Sequence, residues 1–337
     1  MTRFLRFLFL LPLLTAVSES RSEATVGHQI DLLIDPGRGT LAATDTMTLP
    51  PERSDWTFYL HQGLDPRVTQ GDAVVTPNGK EGHLERYRLK VRGPGPVTLR
   101  YGGSIRHELE AVREGMGRSR QQSRGTIAED GVVLDGYSGW YPRIPETLQT
   151  FRLNVQLPSD WSAVSQGTGP EVSSTPDGVR IGWREERPQD DIYLIAAPFE
   201  RYVAPTSSGE AQVYLREPDP ALAERYLTAT GEYLDLYSRL IGPYPYAKFA
   251  LVENFWETGY GMPSFTLLGP QVIRFPFILH SSYPHELLHN WWGNGVFVDF
   301  ETGNWCEGLT TYMADHLIAE QRGTGDDYRR TTLQGYT

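Results

Sequence analysis

The sequence predicts an α+β chain in which an N-terminal β-sandwich is followed by a mainly helical domain. Three observations carry this prediction. Short apolar runs punctuated by Pro and Gly fill residues 25–204, a helix-period stripe begins after Asp219, and a second helix-like stretch near residue 285 is dense in His and Glu. With 337 residues, 39% hydrophobic and 22% charged, the chain has room for two cores, and this composition excludes both a disordered acidic tail and a polytopic membrane protein. Its 42 acidic against 31 basic groups give a net charge of −11, which argues against binding a phosphate backbone. No motif for nucleic-acid binding is present, so no nucleic acid is expected as a partner, and there is no P-loop or Rossmann-type glycine pattern. Cys306 is the single cysteine and excludes an intrachain disulfide framework.

Residues 1–18, MTRFLRFLFLLPLLTAVS, read as a signal peptide. Arg3 and Arg6 precede an apolar stretch from Phe7 to Leu14, and Ala16-Val17-Ser18 offers the small-x-small pattern of a cleavage site. The apolar part is too short to span a bilayer, and no later segment approaches the required length. The expectation is an exported protein, periplasmic or extracellular, with no membrane span after cleavage.

The β-region, 25–204, follows as a series of runs: HQIDLLID stopped by Pro36-Gly37-Arg38-Gly39, then TLAATDTMTLP, DWTFYLHQGL, HLERYRLKVRG, PVTLRYGG, FRLNVQLP and DDIYLIAAPFERYVA. In FRLNVQLP, Phe151, Leu153, Val155 and Leu157 share one face at period two. The stretch Arg113–Ser123 reads as an exposed polar loop, and Ser165–Gly178 as a hairpin-like excursion. The second domain, 205–337, opens with the strand-like AQVYLREP. Asp219 is placed as an N-cap with Pro220 at the first helical position, and Leu222, Tyr226, Ala229, Tyr233, Leu236 and Leu240 form one helix face, stopped by Gly242-Pro243. KFALVE then reads as a short strand ahead of the glycine-rich WETGYGMPSFTLLG.

The chemistry lies in PHELLHNWWGN. On a helix, His285 and His289 are one turn apart and point their imidazoles to the same side, where both can hold one metal ion. Glu286 is rotated by about 100°, close enough to hold water at the metal without occupying the same position. A third ligand is needed, and Glu307 at the start of CEGLTTYMADHLIAE is the candidate; the 17 intervening residues suffice to turn and return antiparallel. By contrast, His107-Glu108-Leu109-Glu110-Ala111 lacks the second histidine, and His280 and His316 read as packed or surface residues.

HELLHNWWGN followed by WCEGLTTY resembles the gluzincin aminopeptidases of the M1 family, and Gly293-Asn294, Glu307-Gly308 and Gly242-Pro243-Tyr244-Pro245-Tyr246 extend the likeness. The resemblance implies a thermolysin-like zinc-peptidase domain of which this chain holds the first part. It also implies one Zn2+ on His285, His289 and Glu307, Glu286 as general base, and hydrolysis of a peptide or small protein substrate, aminopeptidase activity foremost. The chain departs from the family pattern in three places. The spacing to Glu307 is 17 residues rather than 18. Where the family has Gly-x-Met-Glu-Asn to grip the substrate amine, this chain has Tyr260-Gly261-Met262-Pro263-Ser264. Gly261 and Met262 remain as substrate-binding candidates, with Glu253 and Glu257 as candidate replacement anions. Finally, the family's later tyrosine has no counterpart, since Tyr328 and Tyr336 lie close behind the motif. The alternatives are an endopeptidase or other amide hydrolase without amine recognition, and an inactive fragment that serves as a binding module.

Overall fold

A computed structural model describes residues 24–108, 123–255, 259–299 and 303–335. The signal-like segment, most of the Arg113–Ser123 stretch, Glu257 and Tyr336 lie outside these residues. The architecture is α+β, with several sheets in sandwich-like arrangement followed by a helical region.

The largest sheet has seven strands, in the order Thr168–Thr175, Gly178–Gln189, Thr147–Leu157, Ala24–Asp35, Thr40–Thr48, Val97–Ser104 and Arg67–Gln70. Its centre is the parallel pair Ala24–Asp35 and Thr147–Leu157, in which Phe151, Leu153 and Val155 lie opposite His28, Ile30 and Leu32. The period-two face of FRLNVQLP is buried at all four positions. The excursion at Ser165–Gly178 is the hairpin Thr168–Thr175/Gly178–Gln189. A four-stranded and a three-stranded sheet complete the region; the latter orders Asp55–His61, Leu84–Val91 and Ala73–Glu81.

The run DDIYLIAAPFERYVA is two strands rather than one. Pro198, which has no N–H to give a ladder, separates Leu194–Ala197 of the four-stranded sheet from Glu200–Thr206. Glu200–Thr206 is the first strand of a further, five-stranded sheet. This sheet orders Glu200–Thr206, Gly209–Leu215, Lys248–Glu253, Phe265–Leu268 and Gly259–Met262. KFALVE is its middle strand, parallel to both neighbours and buried throughout. Ala250 and Val252 pack into the β-region's core, while Phe249 and Leu251 pack into a second core with the helices. Burial on both faces is why the run is apolar without alternation.

Helix α1 (Pro220–Leu240) is capped by Asp219, whose Oδ1 accepts from the Leu222 N–H at 2.9 Å. Its buried stripe is Leu222, Ala223, Tyr226, Leu227, Thr230, Leu234 and Tyr237. The expected face is therefore wrong in its second half: Ala229, Tyr233 and Leu236 lie only at its flank and Leu240 is exposed. The sequence pattern missed Thr230 because its polarity is satisfied inside the fold, by the Tyr226 carbonyl at 2.6 Å and the Tyr283 hydroxyl at 2.5 Å. Among the described residues, no helix is long and apolar enough to cross a membrane.

Candidate metal centre

The HELLH string lies on helix α2 (Ser282–Leu288), with His289 as its C-cap. Seven residues give little intrinsic helix stability, so tertiary packing must hold it. Tyr283, Leu287 and Leu288 are fully buried against α1 and the five-stranded sheet, Tyr283 edge-on to Tyr226 with ring centroids 4.8 Å apart. This anchoring turns His285 and His289 to the opposite side, their rings 4.9 Å apart. Helix α3 (Trp305–Thr310) brings Glu307 against both.

The Glu307 carboxylate lies 3.4 Å from His285 Nε2 and 3.5 Å from His289 Nε2, and the three ligand atoms fall within 4.8 Å of one another. A tetrahedral zinc with bonds of about 2.0–2.1 Å holds its ligand atoms about 3.3–3.4 Å apart, so these residues fit the ion. The ring nitrogens facing away are also engaged. His285 Nδ1 is 3.3 Å from both oxygens of Asp315, and His289 Nδ1 is 3.2 Å from the Trp292 carbonyl. With an ion bound, each ring would carry its proton on Nδ1 and turn the Nε2 lone pair to the common space. The His285 side chain is wholly buried, while that of Glu307 is 42% exposed, so the cluster opens on the Glu307 side. His285, His289 and Glu307 thus form a His-His-Glu triad positioned for a single metal ion, consistent with a catalytic zinc site. Without a metal, burial pulls His285 down, but Asp315 and Glu307 outweigh it and lift the imidazole to about 9; burial leaves His289 below its ordinary value.

Asp315 was not legible in the sequence. Eight residues after Glu307, it would sit about 80° away from it on a regular α-helix. The helix instead passes through a π-helical turn, Thr311–His316, which absorbs one residue's rotation of about 100° and returns Asp315 to the side of Glu307. We expect Asp315→Asn to weaken zinc binding by about 10–100-fold, with activity recovering in excess zinc; competition with a chelator measures it.

Glu286 lies beside the strand Gly259–Met262, which is the edge of the five-stranded sheet. A Cβ on Gly261 would stand 2.5 Å from Glu286 Oε2, so any larger residue there would push the carboxylate out of this position. Met262 instead packs against the β-region's core. Glu253 is almost wholly buried, one oxygen taken by Arg274 at 2.6 Å and the other by the Arg216 N–H at 2.7 Å. Both its oxygens are thus engaged, at the C-terminal end of its strand.

No protein-family model matches the chain. Among solved structures, the M1 zinc metallopeptidase of Deinococcus radiodurans superposes with a TM-score of 0.67 at 21% identity, over 92% of this chain and 75% of its own. The chain has the M1 zinc metallopeptidase fold. Yeast LTA4 hydrolase shares it at a TM-score of 0.64 and 14% identity, over 93% of this chain and 51% of its own. In sequence, the rice protein Aminopeptidase M1-D (Oryza sativa subsp. japonica) is 26% identical over 247 residues, 66% of this chain. The chain spans about a quarter of that curated relative, 27% of its length.

Within the M1 fold, Pro263-Ser264 has a definite task in this chain. Ser264 turns the chain between the edge strand and Phe265–Leu268 with φ +65°. Its N–H donates to Asn290 Oδ1 at 2.6 Å, one residue past His289, and its Oγ accepts from the Gly167 N–H at 3.2 Å. Lys248 Nζ, fully buried, donates to the Ser264 carbonyl and Oγ at 3.0 Å each and to the Ser165 carbonyl at 2.9 Å. The metal helix, the edge strand and the β-region therefore meet on one serine. Neither Lys248 nor Asn290 carries a motif by which the sequence would have marked it.

Proposed function

We propose that this chain is a zinc-dependent peptidase, and an aminopeptidase in particular. The observation that carries the proposal is the Glu286 carboxylate lying against bare backbone at Gly261, while close enough to His285 and His289 to act on the charge of both. The outer side of Gly259–Met262 has no neighbouring strand among the described residues, so an extended peptide can add to it by backbone hydrogen bonds. Zinc held by His285, His289 and Glu307 would acidify a water towards a pKa of about 7 and polarise a carbonyl. Glu286 accepts the proton of the attacking water and passes it to the leaving amine, and the Gly261 position keeps its carboxylate in reach of both. The likeness to the rice aminopeptidase supports the exopeptidase reading. The segment MTRFLRFLFLLPLLTAVS supports export to the periplasm or beyond.

A second reading is a zinc amide hydrolase without amine recognition. It is favoured by Pro263-Ser264 in place of Glu-Asn and by the commitment of Glu253 to Arg274 and Arg216. Matched peptides with free and N-acetylated ends separate the two, assayed on the zinc-loaded chain. An aminopeptidase loses at least about a hundredfold in kcat/KM on acetylation, because a site built for a charged group rejects an analogue without it. Equal rates favour the second reading, and no cleavage of either peptide overturns both.

A further inference from the structure

Three of the eight histidines converge far along the sequence from the HELLH helix. His61 ends the strand Asp55–His61, His83 sits in the turn between Ala73–Glu81 and Leu84–Val91, and His107 follows the strand Val97–Ser104. Their ring centroids are 5.1 Å (His61–His107), 5.6 Å (His83–His107) and 5.8 Å (His61–His83) apart. His61 Nε2 and His107 Nε2 face each other at 2.8 Å. His61 is buried and the other two half-buried, so the group opens to solvent on one side.

The protons can be assigned from the partners. His61 Nδ1 donates to the Gln62 carbonyl at 2.8 Å, which leaves the lone pair on its Nε2. His107 Nε2 therefore donates into that lone pair in the metal-free protein. His83 Nε2 donates to the Tyr137 carbonyl at 2.7 Å, which leaves the lone pair on its Nδ1, and the Tyr137 ring packs edge-on at 4.9 Å. An imidazole whose second nitrogen is held by a backbone carbonyl is the usual setting of a metal ligand, and His289 has the same arrangement with Trp292. Burial first, and then the neighbouring charges, hold His61 and His107 below the ordinary histidine value, so both are neutral near pH 7.

We propose that His61, His83 and His107 form a second metal site, for a late divalent transition ion such as zinc or copper, independent of the triad at His285. On binding, His107 moves its proton from Nε2 to Nδ1, so that two Nε2 lone pairs meet the ion and separate from 2.8 Å to about 3.3 Å. Unlike those of His285, His289 and Glu307, the ligand atoms of the three rings are not all within 4.8 Å of one another. A turn of the His83 ring, which gives up its bond to the Tyr137 carbonyl, brings in the third nitrogen, and water takes the fourth position. The ion would tie three separate segments of the β-region together, and it would stabilise the fold by mass action.

The test uses the full chain, stripped of metal and titrated with Zn2+, with bound zinc counted by elemental analysis after desalting. The wild type is expected to retain two equivalents. His107→Gln, at a half-buried position where loss of fold is not expected, retains one, and His83→Ala holds the second at least tenfold more weakly. His289→Ala loses the other equivalent and keeps the one that His107→Gln loses. A rise in Tm on adding the second equivalent to wild type, absent in His107→Gln, gives a readout independent of activity. A single equivalent in the wild type, or two in His107→Gln, overturns the proposal.

Discussion

Glu286→Gln is expected to retain one zinc at the His285 triad and to lower kcat/KM for peptide hydrolysis by about a hundred- to ten-thousandfold. Glutamine keeps the volume and the contact with Gly261, yet it cannot take a proton from the attacking water. Because the ligands are His285, His289 and Glu307, the metal should be unaffected. Loss of that zinc together with activity would make Glu286 a structural residue of the centre. Turnover within a few-fold of wild type would remove it from the mechanism altogether. Elemental analysis and steady-state kinetics on the same preparation decide between these outcomes.

Lys248→Met should give the largest loss of stability, about 2–4 kcal/mol by urea unfolding. Methionine fills similar space but strips donors from the Ser165 and Ser264 carbonyls, both deep in the fold. The ammonium also lies 5.0 Å from the centres of the Trp183 and Phe265 rings, contacts that favour a cation. Burial pushes its pKa well below the ordinary lysine value, and Glu185 pulls it part of the way back. Because Lys248 positions Ser264, and Ser264 positions the edge strand, the folded fraction should also show a raised KM. An unchanged midpoint would mean that neighbouring donors replace the ammonium at no cost.

The parts of the fold that the sequence made legible are those where one local period sets burial. Phe151, Leu153, Val155 and Leu157 alternate because one side of their sheet is core, and Asp219-Pro220 caps a helix by local geometry alone. HELLH was legible for the same reason, since one helical turn brings its two histidines together. The strand division at Pro198 follows from a missing donor, although the surrounding apolar run obscured it. Asp315 escaped notice because a π-helical turn breaks the α-period on which such reasoning depends. Lys248, Ser264 and Asn290 come from separate elements and meet only through tertiary packing. His61, His83 and His107 lie more than 20 residues apart, beyond the reach of any motif.

The five-stranded sheet contributes Ala250, Val252, Phe265 and Leu267 to one core and Phe249, Leu251 and Leu268 to the other. A wall shared in this way couples the melting of the two regions. Neither can open without exposing apolar side chains of the other, so heat should unfold the described chain in one transition, with calorimetric and van't Hoff enthalpies in agreement. It also follows that cutting the chain on either side of Glu200 leaves no half able to fold alone. The β-region would lose the strands that complete its core, and the five-stranded sheet, which stays with the metal helices, would expose Ala250, Val252, Phe265 and Leu267.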